Sequence, residues 1–172
     1  MSSNRLRTRT LRALAAIAFV AAAGVVSLPT AAAQPAGFPD LTRFTDANPG
    51  DYTRPFSYAE RWANGYLFFT TPDGINCAIG GSSWCTGNFP GRPNTPGVCD
   101  SVQRNGDAAT APFDFGSNDG QCVPTTDALL ASGQKLTNTA LGITCVVGEG
   151  RLTACIQDEH GFVLQPSGSW VF

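Results

Sequence analysis

The apolar positions of this chain fall into two patterns. One nearly continuous run covers residues 13–28 and is interrupted only by Gly24 and Ser27. Beyond Gln34 the apolar residues come as short runs separated by glycine, proline, asparagine and aspartate. Tyr66-Leu67-Phe68-Phe69-Thr70 is the strongest strand signal, and its bulk predicts burial on both faces. Pro72-Asp73-Gly74 turns the chain into Ile75-Asn76-Cys77-Ala78-Ile79. Gly80-Gly81 then returns it through Ser83-Trp84-Cys85, which reads as a tight hairpin. A second hairpin joins Leu141-Gly142-Ile143-Thr144-Cys145-Val146-Val147 to Arg151-Leu152-Thr153-Ala154-Cys155-Ile156 across Gly148-Glu149-Gly150. Two further strands are predicted over 161–164 and 169–172, about Pro166-Ser167-Gly168.

Helical periodicity is scarce. One turn is predicted over 40–44. Ser57-Tyr58-Ala59-Glu60 has the form of a capping box and predicts a short helix over 58–63, stopped by Asn64-Gly65. Another turn is predicted within 126–133, capped by Thr126 and stopped by Gly133. From about 87 to 120, turn residues dominate: Pro90, Gly91, Pro93, Pro96, Gly97, Asn105-Gly106 and Asn118-Asp119-Gly120. That stretch is expected to be a long polar loop, with Asn105-Gly106 as a hairpin turn inside it. Short strands with little helix argue an all-β fold, a small sandwich or open barrel of antiparallel strands. An irregular N-terminal arm over 34–64 precedes a β domain over 65–172.

The first apolar run has its own meaning. Arg5, Arg7, Arg9 and Arg12 precede it without an acid, and Pro29-Thr30-Ala31-Ala32-Ala33 follows it. A basic segment, an apolar segment and a small-residue site are the parts of a signal peptide, and cleavage is expected after Ala33. A spanning helix needs about 20 apolar residues, more than this run supplies. Removal of 33 of the 172 residues leaves 139, which suits one domain with an adequate core. The leader takes four of the eleven basic residues and none of the thirteen acids, so seven against thirteen leaves a mature charge of −6. Scattered basic residues on an acidic chain argue against a nucleic-acid partner. They also argue against an acidic membrane surface, so no stable membrane insertion is expected after cleavage.

All six cysteines, Cys77, Cys85, Cys99, Cys122, Cys145 and Cys155, lie after the leader. An even count in an exported chain reads as three disulfides. With a hairpin centred near Gly150, Cys145 falls opposite Cys155, and the same reasoning pairs Cys77 with Cys85. Cys99 and Cys122 remain, to close the polar loop. At these loop lengths each crosslink contributes roughly 2.5–3.5 kcal/mol. A zinc site is disfavoured, because no CxxC pair is present and His160 is the only histidine. No cofactor is expected.

Phe69-Thr70-Thr71-Pro72-Asp73-Gly74-Ile75-Asn76-Cys77 fits the pattern F-x-(S/T)-P-x-G-x-x-C. A second cysteine follows at Cys85, then the Cys145 to Cys155 hairpin, then His160-Gly161-Phe162-Val163-Leu164. With these motifs the chain resembles a family of exported actinobacterial proteins, and Phe38-Pro39-Asp40-Leu41 is similar to its mycobacterial members. The likeness spans about residues 66–172 with an unmatched middle. It implies export and a β-rich, disulfide-bonded fold. The family's function is uncharacterised, so the resemblance supplies no catalytic residues.

Candidate chemistry is thin. His160 with Asp158 is the weak catalytic alternative, but a general base needs a nucleophile and an orienting acid. No G-x-S-x-G is present. His160 is instead expected to hydrogen-bond the backbone at a turn before Gly161. Asp114-Phe115-Gly116-Ser117-Asn118-Asp119-Gly120 glances at a calcium loop but has glycine at the third position and Thr125 at the twelfth. No metal is therefore predicted. Trp84 is expected to pack on the neighbouring disulfide. Trp62 and Tyr66 are the candidate binding aromatics. The leading expectation is a secreted, non-enzymatic module, extracellular or envelope-associated, that binds an unidentified ligand or partner through its arm and long loop. The alternative is a hydrolase acting on an envelope glycan or ester. A convergence of His160 with serine and aspartate would favour the enzyme. An exposed apolar groove without titratable groups would favour binding.

Overall fold

A computed structural model describes residues 34–54, 65–104 and 111–172. The expected leader with its cleavage site, the helix expected over 58–63, Trp62 and the turn expected at Asn105-Gly106 lie outside the described residues. Among the described residues the protein is all-β, with two six-stranded sheets. In chain order the strands are β1 (Thr45–Asp46), β2 (Leu67–Thr70), β3 (Asn76–Ile79), β4 (Trp84–Gly87), β5 (Val98–Arg104), β6 (Phe113–Asp119), β7 (Ala128–Leu129), β8 (Gln134–Asn138), β9 (Ile143–Gly148), β10 (Leu152–Gln157), β11 (His160–Leu164) and β12 (Trp170–Val171). One sheet runs β1-β8-β9-β10-β11-β12 and the other β6-β5-β4-β3-β2-β7. The fold is the expected disulfide-stapled sandwich, and its sheets do not close into a barrel.

Strand alternation sends one set of side chains from each sheet into a shared core. Leu67, Phe69, Cys77, Ile79, Cys85, Val102 and Phe113 from one sheet meet Leu136, Ile143, Cys145, Val147, Cys155, Phe162 and Leu164 from the other. Phe113 and Phe162 meet edge to face at 5.3 Å between centroids. Such a pair adds about 0.5–1.5 kcal/mol to the burial of the two rings. The outer face of the β8–β11 sheet is covered as well. Val146, Ala154 and Val163 form a second cluster with Phe38, Leu41, Phe44, Trp170 and Phe172. The N-terminal arm and the C-terminal end of the chain thus seal the same face.

The disulfides join the pairs that hairpin geometry selects. Cys77 faces Cys85 in the β3–β4 ladder and Cys145 faces Cys155 in the β9–β10 ladder. Their Cα separations are 4.1 and 4.0 Å. These match a directly opposed, non-hydrogen-bonded antiparallel pair better than a hydrogen-bonded one. Cys99–Cys122 spans 4.8 Å between Cα atoms and ties β5 to the segment before β7.

Four features differ from what the residues suggest. The expected long loop over 87–120 contains β5 and β6, paired over seven positions from Val98↔Asp119 to Arg104↔Phe113. Pro90, Gly91, Pro93, Pro96 and Gly97 lie between β4 and β5, Gly87 ends β4, and Gly116 sits inside β6, where a Cβ would meet Ser101 Oγ at 2.9 Å. The seeming calcium loop is therefore mostly the extended strand β6. The helical turn expected within 126–133 is strand β7, paired parallel to Phe69 and Thr70, with Leu130 buried beyond it. That pairing and the burial outweigh a marginal local preference. Trp84 lies on the face opposite Cys85, because neighbours on a strand alternate, so it does not pack on that disulfide from its own side. Finally, the turn before Gly161 is Asp158-Glu159, and His160 already belongs to the ladder, opposite Gln157.

In the arm, Asp40 caps the 3-10 turn Leu41–Arg43, its Oδ1 accepting from Thr42 N at 2.9 Å and Thr42 Oγ1 at 2.7 Å. The expected helical turn is thus present in tighter form. Asn48 begins a second 3-10 turn, Pro49–Tyr52. Tyr52 is buried, and its hydroxyl donates to Leu129 O at 3.2 Å.

Candidate binding groove

The arm does not lie flush on the outer face of the β8–β11 sheet. Phe38, Leu41 and Phe44 pack against the apolar cluster on that face, beside the β9–β10 hairpin. Between them runs a groove of about 460 Å³, lined by Pro39, Phe44, Leu152 and the backbone at Gly37, Gly133 and Gly148, with Asp40, Arg43 and Glu149 among the lining residues. That volume lies in the range of small-molecule sites, about 300–1,000 Å³.

Each wall has a local cause. The Asp40 cap sets the turn that carries Arg43 and Phe44. Leu152 points outward because Cys155 must point inward, and positions of opposite parity on β10 face opposite ways. Gly148 keeps the Leu152 side of the groove open, since a Cβ there would strike Leu152 Cδ2 at 2.7 Å. Hydrogen bonds from Thr42, side chain first and backbone second, hold the Asp40 carboxyl below its usual range, against a smaller opposing effect of burial and with help from Arg43. Asp40 is therefore an anion already committed to its cap. The side chains of Arg43 and Glu149 form no hydrogen bond or ion pair among the described residues. The groove can accept an apolar body against Phe44 and Leu152 and a charged group at Arg43 or Glu149.

The residues singled out from sequence fare differently. Tyr66 is half-buried, with its ring stacked on Phe68 at 6.0 Å and its hydroxyl accepting from Ser82 N at 2.8 Å. A Cβ on Gly80 would fall within the Tyr66 ring. That side chain holds the β3–β4 turn and lies away from the groove. The expected backbone hydrogen bond of His160 is absent, and its Nδ1 is buried without a partner among the described residues. Asp158 sits on the turn at φ 52°. Its charge acts on Arg104, whose guanidinium burial lowers below its ordinary value and Asp158 raises in part. No serine or aspartate side chain hydrogen-bonds His160 among the described residues. All six cysteines are in disulfides. No cluster of histidine, cysteine, aspartate and glutamate suited to a metal occurs among the described residues.

Sequence reasoning missed Arg43, Phe44, Glu149 and Leu152. A partial signal existed, since Leu152, Ala154 and Ile156 alternate with Thr153 and Cys155 and so mark an outward apolar stripe on β10. Nothing local says that residues more than a hundred positions earlier cover part of that stripe and leave the rest open.

Neither a family model, nor a curated protein, nor a solved structure matches this chain. Three disulfides point to an oxidising compartment. Among the described residues no helix is long and apolar enough to cross a membrane.

Proposed function

We propose that this protein is an exported, non-enzymatic binding module that takes a ligand with an apolar body and a charged end into the groove beneath its N-terminal arm. The observation that carries the reading is the groove itself, in which Phe44 and Leu152 stand beside Arg43 and Glu149, neither of whose side chains forms an ion pair within the described part of the protein. It differs from the purely apolar groove anticipated for a binding module, and the charged residues narrow the ligand class. The arm lines it, as the binding hypothesis requires. The stretch over 87–120 does not. Support for export comes from the basic and apolar leader, the Ala31-Ala32-Ala33 site, the three disulfides, and the resemblance to exported actinobacterial proteins. The mature charge of −6 disfavours nucleic acid and acidic lipid as partners.

Two measurements test this reading. Mass spectrometry of the extracellular fraction should find an N-terminus at Gln34 or within a few residues of it, and an intact Met1 form there would overturn export with cleavage. For the groove, octanoate and octylammonium serve as probes of opposite sign in two-dimensional NMR of the mature protein. Shifts should concentrate on Phe44, Gly148 and Leu152, and Leu152→Arg, which fills the groove, should abolish them. Shifts centred on His160, or none from either probe, would overturn the groove as the site.

A further inference from the structure

The three disulfides occupy very different surroundings. Cys77, Cys85, Cys145 and Cys155 are each at most 1% exposed and lie between the sheets in the main core. Cys99 and Cys122 lie outside that core. Cys99 belongs to β5 and is 7% exposed, whereas Cys122 is half-buried in a segment with no regular structure. Cys122 also lines an open polar cleft of about 260 Å³, with Asn88, Asn94, Gln121 and the backbone of Pro96 and Gly97. Its Sγ lies 3.7 Å from Asn88 Oδ1. A small thiol can therefore approach Cys122 without any strand opening.

The segment that Cys122 anchors is held mainly by polar links. Asn76 on the outer face of β3 donates to Val123 O at 3.1 Å and accepts from Thr125 Oγ1 at 2.9 Å. Asp127 meets Arg54 at 2.8 Å. Val123 points away and is 77% exposed, so little apolar burial holds residues 121–127 down. Covalent attachment is the strongest constraint on this strap, and it contributes nothing to the packing between the sheets.

We propose that Cys99–Cys122 is a thiol-exchange site, reduced by an external dithiol through the cleft beside Cys122, and that its reduction frees the 121–127 strap while the sandwich stays folded. The dithiol's thiolate attacks Cys122 Sγ. The S–S bond breaks, Cys99 leaves as a thiolate, and a mixed disulfide joins Cys122 to the reductant. The reductant's second thiolate then attacks its own sulfur in that bond and expels Cys122 as a thiolate. The cystine gains two electrons, the dithiol becomes a disulfide, and the protein thiolates take protons from water. Exposed disulfides are generally the labile ones. Attack on the two core pairs must wait for the strands to open, which costs much of the stability of the domain.

The test uses the mature protein with limiting dithiothreitol, quenching by N-ethylmaleimide and peptide mapping. Cys99 and Cys122 should label roughly 10²-fold faster than the other four cysteines, because only those four wait on opening. Hydrogen exchange on the partly reduced protein should show protection lost over 121–127 and retained in β9 and β10. The Cys99→Ser/Cys122→Ser double variant should reproduce that exchange pattern without reductant. Labelling of all six cysteines together, or of a core pair first, would overturn the site. Unchanged exchange over 121–127 in both the reduced protein and the double variant would overturn release of the strap.

Discussion

Gly161 has the form of a turn glycine in the sequence, following His160 and preceding an alternating apolar run. In the folded protein it lies inside β11, opposite Ile156, with its backbone exchanging hydrogen bonds with Phe172 at 2.9 and 3.0 Å. The Phe172 ring lies over the space a side chain would take. A Cβ at Gly161 would meet Phe172 Cζ at 2.6 Å and Ile156 Cα at 3.1 Å, and would collide with the carbonyl oxygen of Cys155. Gly161→Ala therefore has two costs. The ring can swing aside, but it then leaves the cluster of Phe38, Val146, Ala154 and Val163. The Cys155 carbonyl can yield only by a shift of β10 against β11. Overpacking of this kind costs about 1–3 kcal/mol, and partial exposure of a phenylalanine adds about 1 kcal/mol of the 1.5–3 kcal/mol its full burial is worth. A total of about 2–4 kcal/mol lowers Tm by roughly 6–20 °C in a domain of this size. Thermal unfolding under non-reducing conditions measures it. Phe172→Ala separates the two costs, because in that background Gly161→Ala should cost less by the share due to the ring, and coupled neighbours commonly deviate from additivity by about 0.5–3 kcal/mol. A Tm within about 2 °C of wild type for Gly161→Ala would refute the close packing described for this strand. An identical penalty in both backgrounds would refute the role of Phe172.

Other perturbations probe separate parts of the fold. Burial raises the Asp127 carboxyl, but hydrogen bonds from Arg54 and Thr125 and the Arg54 charge outweigh it, so the folded value lies below the ordinary one. Its contribution is thus fully present above the unfolded value near pH 4 and fades as pH falls through the lower folded value. Asp127→Asn should accordingly lower the urea midpoint at pH 6 more than at pH 2, and an equal loss at both would exclude the charge as the cause. Cys145→Ser with Cys155→Ser removes a staple from the centre of the core and should cost about 2–5 kcal/mol by urea unfolding. The Cys99→Ser/Cys122→Ser pair should cost clearly less, and a reversed order would contradict the burial pattern. His160→Ala removes a ring whose Nδ1 lacks a partner among the described residues, so stability should change by no more than about 1 kcal/mol and probe binding in the groove should persist. Lost function at unchanged Tm would instead promote the hydrolase.

Determinants legible in this sequence act over short chain distances. A hairpin places residues equidistant from its centre opposite one another, so the glycines between Cys77 and Cys85 and between Cys145 and Cys155 imply their partners. Asp40 reaches Thr42 only two residues on, so the turn predicted over 40–44 rests on local contacts. Apolar, β-branched runs mark β9, β10 and β11 because both faces of these strands leave water. The remaining features arise between segments remote in sequence. The two-residue parallel pairings of β1 with β8 and β7 with β2 are too short to leave a periodic signal. The β5–β6 ladder forms despite turn-rich flanks, because Val102 and Phe113 find a core built by other strands. The groove depends on residues 37–44 meeting 148–152, and the exposure of one disulfide depends on which side of a sheet its strap crosses. Such contacts are decided by the shape left after the sheets have packed, and no local run of residues encodes that shape.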